Sequence, residues 1–115
     1  MRFWCVILLL SLPLLDGCED DPSRPDVEVS GVLRLGFETS ALDPCSSGQS
    51  WWVTNSDILV DRYDAVAVFP GQAVFVSVVG IKSSPGHYGH MSAYAREFRV
   101  TEVREVRRLV DGECP

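Results

Sequence analysis

Residues 27–38 alternate. Val27, Val29, Leu33, Leu35 and Phe37 share one parity, and Glu28, Ser30, Arg34 and Glu38 the other. Side chains repeat every two residues only in an extended strand, so this stretch reads as a strand with one face against a core and the other in water. Gly31 and Gly36 interrupt it. Glycine inside a strand marks a bend or a place where another backbone comes close. A long, bent first strand is what turns the corner of a small barrel.

The rest of the chain is read against that strand. Residues 41–49 carry turn chemistry, with Asp43-Pro44 and Ser46-Ser47-Gly48 in succession. Residues 50–54 form a second strand. Asn55 or Ser56 is placed to cap a short helix over residues 57–63. Pro70-Gly71 is a turn. Residues 73–81 are apolar on both parities, as in a central strand buried on both faces. Residues 98–109 are ambiguous. Val100, Val103 and Val106 step by three, which is helical spacing, whereas the β-branched content and the Phe98/Val100 alternation favour a strand with a bulge, and strand is the reading adopted. The expected fold is mainly β: a small five-stranded OB-like Greek-key barrel with at most one short helix.

The N-terminus has the three parts of an export signal. Arg2 supplies the positive charge, and residues 3–15 an apolar run that is shorter than the roughly 20 residues a bilayer span needs and is interrupted by Pro13. Leu15-Asp16-Gly17-Cys18 follows and resembles the lipobox of bacterial lipoproteins, with Asp16 where a small or apolar residue is usual. The resemblance implies cleavage after Gly17, diacylglyceryl transfer to the Cys18 thiol and acylation of the new amine. An ordinary signal peptide cut nearby is the alternative. Residues 1–17 are thus the signal peptide. Residues 18–26, acidic and proline-bearing, form a flexible tether, and residues 27–115 form the domain. Glu19 rather than Asp follows the cysteine. By resemblance to enterobacterial lipoproteins, that favours the outer membrane, with the domain facing the periplasm.

With Cys5 lost in the signal and Cys18 acylated, Cys45 and Cys114 remain as an even pair in an oxidising compartment. A Cys45–Cys114 disulfide is expected. It would staple a small domain from its C-terminus to an early turn.

A second resemblance covers most of residues 31–110. The string Gly36-Phe37-Glu38-Thr39-Ser40-Ala41-Leu42-Asp43-Pro44-Cys45, then Trp51-Trp52-Val53, then Gly86-His87-Tyr88-Gly89-His90 is similar to the OB-fold C-terminal domain of NlpE-type envelope lipoproteins. The N-terminal domain of that family, with its C-x-x-C, has no counterpart in this sequence.

Function is addressed by a few residues. The net charge of −6 argues against a nucleic-acid partner, and the export signal removes one charge of each sign, so the balance persists. The sequence carries no G-x-S-x-G elbow, P-loop or H-E-x-x-H motif, and a non-enzymatic binding or interaction module is expected. Its partners would be the membrane, through the lipid, and another envelope protein or peptidoglycan. Trp51 and Trp52 point to opposite faces of their strand. One is expected in the core and the other on the surface as a partner contact; covering of both by loops is the alternative. His87, His90 and Met91 share one loop and offer ligands suited to copper or zinc. Local packing of that glycine-shaped loop is the competing explanation, and no other cofactor is implied.

Overall fold

The computed structural model describes residues 24–115. The expected signal peptide, the expected acylation site Cys18 and the expected tether as far as residue 23 lie outside the described residues. Five strands close into a barrel in the order β1-β2-β3-β5-β4. They are β1 (Val27–Gly36), β2 (Thr39–Pro44), β3 (Trp51–Thr54), β4 (Val74–Lys82) and β5 (Arg96–Arg108). All neighbours pair antiparallel except β3 and β5, which run parallel. One α-helix, α1 (Asp57–Val66), connects β3 to β4. This is the small OB-like barrel expected from the strand count.

The alternation of β1 translates into packing. Leu33 is fully buried, and Val27, Val29 and Leu35 lean on the same core. Gly31 lies where β2 crosses closely: a Cβ there would stand 2.6 Å from the Asp43 carbonyl oxygen. Phe37 departs from the pattern and is 88% exposed. It sits in the turn after β1 has ended, where strand parity no longer dictates direction. The stretch read as turn chemistry also needs correction. Its first residues, 41–44, belong to β2, in which Ala41 and Leu42 are buried and pair with Trp52 and Trp51. The turn proper begins at Cys45.

The ambiguity over residues 98–109 has a geometric answer. Gly80, Val78 and Val76 on β4 stand opposite Val100, Val103 and Val106 on β5. β4 advances two residues per inward position while β5 advances three, because two register shifts leave an extra β5 residue each time. Each bulge resets the parity, so all three valines contact the core. The spacing that imitates a helix is the signature of a doubly bulged, strongly coiled strand.

Helix α1 plugs the end of the barrel reached by the C-terminus of β3. Leu59 and Tyr63, four residues apart, enter the core together. Neither expected cap makes a side-chain capping bond. Ser56 holds the N-cap position without one, and the Asn55 amide instead donates to the Val100 carbonyl at 2.8 Å.

Cys45 and Cys114 are disulfide-bonded, with Cα atoms 4.6 Å apart. The adjoining backbone supports the link, since the Ser46 N–H donates to the Pro115 carbonyl at 2.7 Å. Just before it, Glu113 accepts from both terminal nitrogens of Arg107 and from the Val110 N–H. The Arg107 guanidinium, and secondarily the Val110 amide, holds the Glu113 carboxyl below its ordinary value of 4.5. A depressed carboxylate stabilises the fold above the unfolded-state value, and that contribution disappears as pH falls through the folded value. Urea midpoints of the parent and Glu113→Gln are therefore expected to differ by a constant amount above about pH 5 and to converge on acidification. A difference that does not change with pH would contradict the assignment.

Candidate functional site

The two tryptophans separate as strand geometry requires. Trp51, 7% exposed, joins the core beside Phe98, with ring centroids 5.7 Å apart, and its indole N–H donates to Gln49 at 2.8 Å. Trp52 faces outward from β3 and is half-buried. It forms the floor of a cleft of about 600 Å³. One wall is Glu38 of the β1–β2 turn with Thr39 and Ser40 at the start of β2. The other is α1, with Val60 and Asp64, continued by Val68 and Phe69 in the connection to β4.

The walls are fixed from behind. The Gly71 N–H donates to the Leu35 carbonyl at 2.8 Å, and the Tyr63 hydroxyl to the Gln72 carbonyl at 2.7 Å. These bonds hold the α1–β4 connection against β1 and α1. The cleft is therefore built by the fold and needs no rearrangement to form.

The long β4–β5 loop closes on the other side of Trp52. Tyr94 packs on the indole at 5.1 Å between centroids, and Tyr88 and Tyr94 exchange backbone hydrogen bonds. Gly89 lies against the indole with φ +70°, and a Cβ there would sit 2.3 Å from a ring carbon. Both the φ and the contact demand glycine. Gly89→Ala is expected to displace the loop or the indole, red-shifting or quenching Trp52 emission while the far-ultraviolet circular dichroism stays that of the barrel. Unchanged emission would show that the indole is not held by this contact.

His87, His90 and Met91, grouped in the sequence as candidate metal ligands, take different environments. His90 Nε2 stands 3.4 Å from Glu38 Oε1, linking the β4–β5 loop to the β1–β2 turn across the edge of the Trp52 face. His87 is exposed. Met91 is 81% exposed and has φ +60°. Among the described residues, no group of three or more His, Cys, Asp or Glu side chains is placed to hold a metal ion.

The two loops share an unusual backbone feature. Glu38, Met91 and Ser92 are non-glycine residues in the left-handed region, at φ 54°, 60° and 54°. Such conformations carry a local energetic cost, and Ser46, Asn55 and Cys114 adopt them outside the two loops. The rim is also apolar where Val68 and Phe69 line it, both exposed, and Phe37 beside Glu38 and Met91 beside His90 are exposed as well. The charged residues lining the cleft are the carboxylates Glu38 and Asp64; no lysine or arginine lines it.

Sequence reasoning singled out the Trp51-Trp52 pair without deciding which of the two faces out, and it missed the wall opposite Trp52. Val60 and Asp64 are four apart on α1 and so share a helical face, a signal available to periodicity. Val68 and Phe69 had no such signal, because their exposure depends on how the connection is pinned. Comparison with protein-family models, with curated proteins and with solved structures gave no match to the chain.

Proposed function

We propose that this chain is a lipid-anchored envelope lipoprotein that acts as a non-enzymatic binding module and holds a polypeptide partner in the cleft over Trp52. The observation that carries the reading is the half-buried indole at the floor of a preformed cleft with an exposed apolar rim. Aromatic side chains seated in such pockets dominate binding energetics at protein interfaces. In OB barrels the β2–β3 face and its flanking loops are the usual ligand surface. Trp52, Glu38 and His90 occupy the equivalent face here.

The chemistry of the rim favours one class of partner. A segment with apolar side chains would cover Phe37, Val68, Phe69 and Met91. A basic side chain in it would complement Glu38 and Asp64. Another envelope protein supplies both, whereas the glycan strand of peptidoglycan has no cation to set against Glu38 and Asp64. The lipobox-like Leu15-Asp16-Gly17-Cys18 supports the location. The resemblance to the NlpE-type OB domain is consistent with a module that works by contact.

A photoreactive amino acid at Phe69 in the cell-expressed chain tests the reading. One dominant protein adduct is expected from Phe69. The same probe at Val110, exposed and outside the cleft, should not give it. Glu38→Lys should reduce the Phe69 adduct. Equal adducts from both positions, or indifference to Glu38→Lys, would contradict it.

A further inference from the structure

Part of the Trp52 indole is covered from the β4–β5 loop by Gly89 and Tyr94. The part left uncovered lines the cleft. An aromatic face carries partial negative charge, and tryptophan holds a cation better than tyrosine or phenylalanine does. Elsewhere in the barrel the chain supplies such cations itself. Arg107 Cζ lies 4.1 Å from the Phe75 ring centroid, and Lys82 Nζ and Arg96 Cζ lie 5.7 Å and 6.0 Å from that of Trp51. Among the described residues no cation stands over Trp52.

The two walls add carboxylates to that ring. Asp64 is exposed on α1 and makes no ion pair among the described residues. Glu38 is approached by His90 Nε2 through one of its two oxygens. Between the walls, Leu35, Val60 and Val68 supply aliphatic surface. The cleft thus combines an indole, two carboxylates and apolar lining. A side chain with a methylene stem and a cationic head is complementary to all three.

We propose that the polypeptide partner is held in this cleft by an arginine side chain, its guanidinium over the Trp52 indole and hydrogen-bonded to Asp64 and Glu38. The inference rests on the cleft reading above and names the side chain the cleft selects. A guanidinium is planar, so it stacks on a ring while its N–H donors fan outward to carboxylates at the sides. A lysine ammonium is more strongly hydrated and gains less from the ring. The net charge of −6 further favours the approach of a basic segment.

The isotope-labelled full chain in neutral detergent is titrated with the peptide acetyl-Leu-Ser-Arg-Ser-Leu-amide. A second titration uses the same peptide with citrulline for arginine, which keeps the planar head and removes the charge. The Trp52 indole N–H and the Val60 and Val68 amides are followed by nuclear magnetic resonance. Saturable shifts are expected, about tenfold tighter for the arginine peptide and weakened by added sodium chloride. Asp64→Asn, checked for an unchanged melting curve, should lower affinity for the arginine peptide about tenfold, the loss of one charge-assisted contact. Its effect on the citrulline peptide should be much smaller. Equal affinity for the two peptides, or no binding of either, would overturn the proposal, as would an Asp64→Asn variant that binds the arginine peptide as the parent does. Spermidine saturating the same resonances more tightly than the arginine peptide would also overturn it, by assigning the cleft to a free organic cation. The cleft reading fails by a different result, the absence of a dominant Phe69 adduct in cells. Equal peptide affinities beside a retained adduct remove the arginine and keep the partner.

Discussion

Replacing Cys45 and Cys114 together by alanine is expected to lower the unfolding free energy by about 4 kcal/mol, the largest effect of any change away from the core. The bond joins positions 69 residues apart. It links the end of β2 to the C-terminus and so encloses β3, α1, β4 and β5. In the chain-entropy account a loop of this length removes many conformations from the unfolded ensemble, and the native state loses little when the link is cut. A domain of this size has total stability of the order of 5–10 kcal/mol, so roughly half would be lost. The melting temperature should fall by about 15–30 °C. The urea m-value should rise, because an unlinked chain exposes more surface on unfolding. The Glu113–Arg107 pair and the Ser46–Pro115 backbone bond would still bring the C-terminus to the β2 end, so the double variant is expected to fold at 25 °C. A loss below 1 kcal/mol would mean that those contacts already restrain the C-terminus without the covalent bond.

Phe98→Ala is expected to cost a similar amount, about 4 kcal/mol, by a different mechanism. Phe98 is 0% exposed and belongs to the central cluster. It packs on Trp51, and its ring edge fills the space beside Gly80, where an added Cβ would stand 2.7 Å from it. Truncation removes the transfer free energy of the ring and leaves a void that neighbours on fixed strands cannot fill. Unlike loss of the disulfide, this change acts on the folded state. Unfolding should accelerate, and the m-value should stay near that of the parent. The two effects arise in different states, so combining them should leave the chain unfolded at 37 °C. A Phe98→Ala domain within 1 kcal/mol of the parent would show that the core tolerates the cavity.

Much of this barrel is legible in the chain. The β1 alternation, the two-sided apolar run of β4 and the turn at Pro70-Gly71 report local geometry directly. What was obscured was obscured for identifiable reasons. β2 is six residues long and ends in Asp43-Pro44, so its turn-forming tail outweighed the two buried residues at its centre. The valines of β5 step by three because bulges are set by pairing with β4, which no window on one strand reveals. Phe37 follows strand parity in the sequence but lies in a turn, where it is exposed. Of the candidate site, Trp52 was visible as half of an adjacent aromatic pair, and only the register of β3 against β2 and β5 decides which half faces out.

A partner seated in the Trp52 cleft in the envelope would shield the side chains around it from solvent. Hydroxyl-radical footprinting of intact cells against the purified full chain tests it most directly. Exposed and half-buried side chains of the rim react readily when free, and covering them slows the reaction. If the account holds, Phe37, Trp52, Phe69 and Met91 react several-fold more slowly in cells than in the purified protein, while Val110 reacts equally in both. Equal rates at these four positions, normalised to Val110, would contradict it.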